Sequence, residues 1–197
     1  IEIFKAGADV HSAVASRVFG VPEADISREM RRRAKVINFG ILYGMGVNAL
    51  RANLGEGTSR GEAQEFLTAY FHTFTRLTEY LEETKAFAFK NGYTETLYGR
   101  RRYFAGIRSS IPFVRASAER MAINAPVQGT SADMLRVAMI QIHTYLEGNK
   151  DVRMLLQIHD ELVFEAKKGS DKTVARIKEI LEQVLPEKER NGGPIIA

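Results

Sequence analysis

A chain of 197 residues that is 45% apolar and 26% charged can bury a core, and it is neither a peptide nor a disordered tail. A mean hydropathy of −0.20 and the lack of any run of about 18 apolar residues exclude a transmembrane helix. The opening IEIFKAGADVHS lacks the basic-then-apolar layout of a secretory signal. With no cysteine, disulfides, thiolate zinc sites and cysteine nucleophiles are all removed, so a soluble protein of a reducing, cytoplasmic compartment is expected. The net charge of +4 is small, but it is concentrated. Arg28, Arg31, Arg32, Arg33 and Lys35 form one basic cluster, and Arg100, Arg101, Arg102, Arg108, Arg115 and Arg120 form a second.

The first strong element is SREMRRRAKVINFGILYG, a predicted helix with Ser27 as N-cap and Gly44 at its end. Steps of four residues put Arg31, Lys35, Phe39 and Tyr43 on one stripe, with Ile37 and Ile41 opposite. A buried stripe would not begin with Arg and Lys, and a merely solvated one would not end with Phe and Tyr. This order suits a ligand with phosphates at one end and a flat ring at the other, such as a nucleoside triphosphate. A solvated helix with snorkelling basic residues is the competing reading. Gly40 costs about 1 kcal/mol relative to alanine inside a helix, so it marks close approach of another group.

Residues 58–90 predict a helix or helix pair, with Thr58 or Ser59 as its cap and Glu62 as a capping-box partner for Ser59. Phe66, Tyr70, Phe74, Leu77 and Leu81 recur at helical spacing as its core face. Asn91 and Gly92 stop it, and YTETLYGRRRYF reads as a short hairpin around Gly99. Residues 115–146 are helical again, with a bend or break expected at Pro126 and Gly129. VRMLLQIHDELVFEA predicts a β-hairpin with His159, Asp160 and Glu161 at its tip. A last amphipathic helix over 170–185 places Val174, Ile177, Ile180, Leu181 and Val184 on one face, and the terminal IIA reads as the start of a strand. Helices first and then hairpins mixed with helices predict an α+β fold.

Two adjacent acids at the tip of an apolar hairpin call for something positive, and an oxygen-ligated divalent cation such as Mg²⁺ would serve. A solvated polar turn is the competing reading. Zinc chemistry has little support: there is no HExxH, and His11, His72, His143 and His159 lie far apart. Neither a GxSxG elbow nor a GxxxxGK[ST] loop is present.

Read together, RRRAKVINFGILYG, RASAERMAINAPVQGTSADM and LLQIHDELVFE closely resemble the fingers and palm of family A DNA polymerases, in unbroken order from about Gly7 to Glu165. The resemblance implies a partial right-hand fold, with residues 1–95 as a mainly helical fingers subdomain and 96–197 as an incomplete palm of antiparallel hairpins and packed helices. It implies DNA-templated transfer of deoxynucleotides to a primer 3′-hydroxyl, in DNA replication or repair, by a mechanism using two Mg²⁺ ions. Arg31 and Lys35 would hold the triphosphate, Phe39 would pack on its sugar and base, and Tyr43 would occupy the template side. Phe39 in place of tyrosine implies discrimination against dideoxynucleotides. Asp160 would bind metal with Glu161 beside it, His159 would lie near the primer terminus, and Arg120, Asn124 and Gln128 would touch the duplex.

The implied partners are primer-template DNA and deoxynucleoside triphosphates, with no membrane, in the bacterial cytoplasm or a phage-infected cell, at the nucleoid. The family's second catalytic aspartate, in a motif like DYSQIELR, is not in this sequence, nor are a thumb or a final palm strand. The expectation is therefore an incomplete polymerase, inactive without an upstream palm and thumb segment. A non-catalytic nucleic-acid-binding module is the alternative. A basic helix lying on a membrane fits poorly, because Phe39 and Tyr43 share the basic face.

Overall fold

Ser27 begins the element that organises the N-terminal half. In the computed structural model, which describes Ile3 and residues 6–55 and 57–185, its hydroxyl accepts from Met30 N–H at 3.1 Å and starts a helix over Arg28–Leu42. The described residues form α1 (Val10–Phe19), a 3₁₀ turn (Glu23–Asp25), α2 (Arg28–Leu42), α3 (Val47–Leu54), α4 (Arg60–Thr73), α5 (Thr75–Asn91), β1 (Tyr93–Glu95), β2 (Arg101–Tyr103), α6 (Pro112–Tyr145), β3 (Val152–Ile158), β4 (Glu161–Ala166) and α7 (Asp171–Glu182). This is the expected α+β content, with two small antiparallel hairpins among helices. The described residues divide into two compact units, those up to Thr94 with 101–125, and 95–100 with those from Pro126 onward.

In the first unit, Ala34, Ile37 and Ile41 recur along one side of α2 and are buried with Val14 and Ala15 of α1, Leu50 and Leu54 of α3, and Ala63, Leu67 and Tyr70 of α4. Phe66, Phe74 and Leu77 pack against this cluster and Leu81 lies within it, so the helical spacing identified a core face. Burial pushes the Tyr70 phenol up to about 12. The Ser59–Glu62 capping box forms in both directions, and Gly92, in the left-handed conformation, ends α5. A second cluster gathers Ala88, Phe104, Ile107, Ala118, Ala122 and Ala125. A Cβ on Gly40 would meet Met45 Sδ at 3.0 Å, which is the close approach expected there.

In the second unit, Ala138 and Ile142 of α6, Val152 of β3 and Ile177 and Ile180 of α7 form the core with Val184. Val174, expected on the same face, is instead 49% exposed; it lies in the first turn of α7, one turn before the first buried residue, Ile177. The terminal IIA lies outside the described residues.

Pro126 does not break its helix: α6 runs continuously from Pro112 to Tyr145 with Pro126 inside. A proline removes one donor, that to the Ala122 carbonyl. Here the turns on either side are held by buried Ala122 and Ala125 and by Thr130, whose hydroxyl donates to the Pro126 carbonyl at 2.6 Å. The division between the two units nevertheless falls between Ala125 and Pro126.

The two sides of α2 make opposite demands, which substitution separates. Ile37, fully buried, is expected to lower the unfolding free energy by about 2–5 kcal/mol when replaced by alanine. Phe39→Ala, at an exposed position, is expected to cost less than about 1 kcal/mol. Urea unfolding followed by circular dichroism measures both, and equal losses would contradict the assignment of the faces.

Candidate functional site

With one side of α2 buried, Arg31, Lys35, Phe39 and Tyr43 all emerge on its exposed side, Phe39 at 45% and Tyr43 at 50% exposure. The stripe read from the sequence therefore exists as a surface. The Lys35 ammonium lies 5.9 Å from the centroid of the Phe39 ring, a weak cation–π contact that aligns the basic and aromatic halves of the stripe.

The basic residues do not stand alone. Arg31 donates from Nε and Nη2 to both carboxylate oxygens of Asp9, at 2.6 and 3.1 Å. Asp9 is also the N-cap of α1, accepting from the Ser12 backbone and hydroxyl. The Arg31 hydrogen bond, with help from Ser12, holds the Asp9 carboxyl well below the usual carboxylate range, while Asp9 raises the Arg31 pKa. Arg32 and Arg33 converge on Glu29, whose carboxyl is pulled down to about 2, chiefly by Arg32. Lys35 makes no ion pair with another described residue, so its charge is directed outward.

Three groups that the sequence reading left unassigned join this surface. The His11 ring lies 5.7 Å from that of Phe39, and its Nδ1 is 3.3 Å from the amide nitrogen of buried Asn38. Burial lowers the His11 pKa; Asp9 opposes this, and Arg31 and Lys35 reinforce it. Asp9 and His11 sit more than twenty residues before the stripe, so periodicity could not link them to it. The available signal was Asp9 as a helix N-cap two residues ahead of His11.

At the end of α2, Gly44 adopts φ +67°, and a Cβ there would lie 2.7 Å from Arg120 Cγ. This brings Arg120 beside the stripe's last residue. The amide of Asn124, one turn along α6, donates to the Arg120 carbonyl at 2.8 Å. Six of the candidate residues thus belong to the first unit.

The other four, Gln128, His159, Asp160 and Glu161, belong to the second unit. β3 and β4 pair from Val152↔Ala166 to Ile158↔Glu161, which leaves His159 and Asp160 as a two-residue turn. His159 has φ 54° and is the one described non-glycine residue with positive φ; positive φ at the first turn position is the pattern of a II′ hairpin. The Gln157 side chain props this turn by donating to the His159 carbonyl at 2.7 Å. All three tip residues are exposed, as is Gln128.

The oxygens of Asp160 and Glu161 suit a hard cation such as Mg²⁺. Among the described residues, however, no group of three or more His, Asp or Glu side chains could hold a metal ion. The pair fits a metal in donor chemistry and supplies only part of a ligand set. No described helix is long and apolar enough to cross a membrane.

Residues 1–190 match the family model for DNA polymerase family A. The chain is 46% identical over 187 residues to the thermostable DNA polymerase I of Thermus aquaticus, covering 94% of this chain and 22% of that protein. It is also 46% identical over 185 residues to DNA polymerase I of Rhizobium leguminosarum, covering 92% and 18%. Among solved structures, the POL domain of Pol1 from M. smegmatis, in complex with DNA primer-template and dNTP, superposes with a TM-score of 0.85 at 40% identity, covering 94% of this chain and 33% of that one. The chain therefore spans about a fifth of the length of the curated relatives it matches.

The Asp9–Arg31 pair has a signature in pH. A carboxyl whose native pKa is depressed contributes stability above its ordinary value of 3.8, and that contribution is lost as pH falls toward the native value. Asp9→Asn keeps a capping side chain and removes the charge. Wild type is expected to exceed this variant by less than about 1 kcal/mol at neutral pH, the pair being exposed. The difference should shrink toward about pH 3 and with added salt. Urea titrations at the two pH values measure it, and a difference independent of pH would refute the ion-pair origin.

Proposed function

Since the chain belongs to DNA polymerase family A, we propose that it provides the nucleotide-binding face and part of the catalytic centre for DNA-templated addition of deoxynucleotides to a primer 3′-hydroxyl. The observation that carries this reading is the ordered exposed stripe Arg31–Lys35–Phe39–Tyr43 over a buried opposite face. Residues 1–95 would act as fingers and 96–197 as palm.

In the proposed reaction the primer 3′-oxygen bonds to the α-phosphorus of the incoming nucleotide, and pyrophosphate leaves. Lys35 would meet the triphosphate as a compact outward charge. Arg31 would join it through Nη1, because Asp9 already holds the Nε–Nη2 edge. The Phe39 ring would pack on the sugar and base, with Tyr43 on the template side. Water excluded by this packing would strengthen the phosphate contacts.

Asp160 and Glu161 would contribute oxygen donors to Mg²⁺, two ions being the family's expected complement; bound metal would offset the charge of the triphosphate and of the attacking hydroxyl. Because two carboxylates do not complete such a centre, catalysis is expected to require a further acid from outside the described group. His159 would lie near the primer terminus. Arg120, Asn124 and Gln128 would touch the duplex, where minor-groove acceptors are similar for all base pairs, so that contact does not depend on sequence. Primer-template DNA and deoxynucleoside triphosphates are the proposed partners, with a role in replication or repair in the bacterial cytoplasm. These are the partners present in the structure of the M. smegmatis relative.

Primer extension by a polymerase carrying this segment tests the reading. Lys35→Ala is expected to raise KM for the nucleotide by tenfold or more, the value of about one charged hydrogen bond, with a smaller change in kcat. Asp160→Asn should abolish extension with primer-template binding retained, and Phe39→Tyr should increase dideoxynucleotide incorporation. Full activity in the Asp160 variant would overturn the metal assignment. Salt-sensitive binding indifferent to both acids, without extension, would favour a non-catalytic binding module.

A further inference from the structure

A second aromatic surface lies in the first unit, away from α2. Phe104 N–H donates to the Gly92 carbonyl at 2.9 Å and Thr96 N–H to the Arg100 carbonyl at 3.0 Å, and this closure sets Tyr93 of β1 opposite Tyr103 of β2. Their ring centroids are 5.4 Å apart. Phe87, from the last turns of α5, meets Tyr93 edge to face at 5.7 Å. The Arg101 guanidinium lies over the Tyr93 ring, 4.5 Å from its centroid.

The row is not a core. Tyr103 is 68% exposed and Phe87 is 44% exposed, while Tyr93, flanked by both, is half-buried. Ring planes inclined at 84° and 56° leave no slot for a ring between neighbours, so any stacking partner must lie on the outer faces of Tyr103 and Phe87. The surroundings are basic: residues 85–108 include Lys85, Lys90, Arg100, Arg101, Arg102 and Arg108 against the single acid Glu95. The guanidinium of Arg108 is committed to the carbonyls of Phe89 and Lys90 and fastens the end of α5 beside the row.

We propose that Phe87, Tyr93 and Tyr103, with Arg101, form a stacking platform for unpaired bases of single-stranded DNA. The proposal rests on the nucleic-acid reading above and deepens it by giving the single-stranded part of the template a place on this chain. Exposed rings interleaved with guanidinium groups provide the two components of sequence-tolerant binding: a flat face for any base and positive charge for the backbone. An apolar protein partner would be poorly matched, because exposed Arg102, whose guanidinium reaches Met121 Sδ, would be desolvated against it without a matching anion. A polynucleotide supplies an anion at every step.

The test is fluorescence anisotropy with a labelled thymidine oligomer of about a dozen nucleotides, a blunt duplex of equal length, and the same duplex with a 5′ overhang. Wild type should bind the overhang substrate more tightly than the blunt one. Tyr103→Ala, at a position whose exposure makes misfolding a small risk, should weaken single-strand binding about five- to hundredfold, the value of one stacked base. It should leave blunt-duplex affinity unchanged and abolish the overhang advantage. Phe87→Ala should act in the same direction, and Tyr103→Phe, which keeps the ring, should bind like wild type.

The chain has no tryptophan, so quenching of tyrosine emission by the oligomer, lost in Tyr103→Ala, gives a second readout of contact. Unchanged single-strand affinity in Tyr103→Ala, or an equal loss on blunt duplex, would overturn the platform. A change in self-association without a change in oligomer binding would do the same, by making the face a protein contact. Failure of wild type on both duplexes with single-strand binding retained would instead count against the polymerase reading and leave the platform standing.

Discussion

Burial of Ala34, Ile37 and Ile41 on one side of α2 is the constraint on which the candidate site depends. Once that side is committed to the core, the helical period leaves no freedom in what faces outward: Arg31, Lys35, Phe39 and Tyr43 must share the opposite side. The packing also fixes the helix against α1, and so brings Asp9 and His11 to Arg31 and Phe39. The exposure of the stripe is thus a consequence of core packing on the opposite side of α2.

The electrostatics of the stripe are graded along its length. Asp9 and Glu29 take up three arginines in ion pairs, and Lys35, which makes no ion pair with another described residue, sits nearest the aromatic end of the stripe. Like charges crowded on one helix face repel, and the two carboxylates relieve this repulsion without neutralising the surface. Asp9 does so while capping α1, so one side chain couples the start of a helix to the orientation of a guanidinium 22 residues away in sequence.

Elements whose signals are local were legible in the sequence. The Ser59–Glu62 box, the glycine stop after α5 and the alternating apolar runs of β3 and β4 each depend on residues within a few positions of one another, and each formed where expected. Short α1 and α3 carry no strong period and are held by tertiary burial of Val14, Leu50 and Leu54, so the sequence did not announce them. Of the bend or break expected at Pro126 the break did not occur: α6 runs through it, with buried Ala122 and Ala125 in the turn before it. The stripe was legible because it repeats every four residues. Its partners Asp9 and His11 were not, since only the fold makes them neighbours of Arg31 and Phe39.

The hairpin tip places its two acids in different backbone settings. Ile158 pairs with Glu161, so Glu161 is already a strand residue, its side chain direction set by the pleat, whereas Asp160 lies in the turn behind a left-handed His159. The positive φ of His159, costly for a residue with a Cβ, shapes the two-residue turn that carries Asp160 at the closed tip of the hairpin.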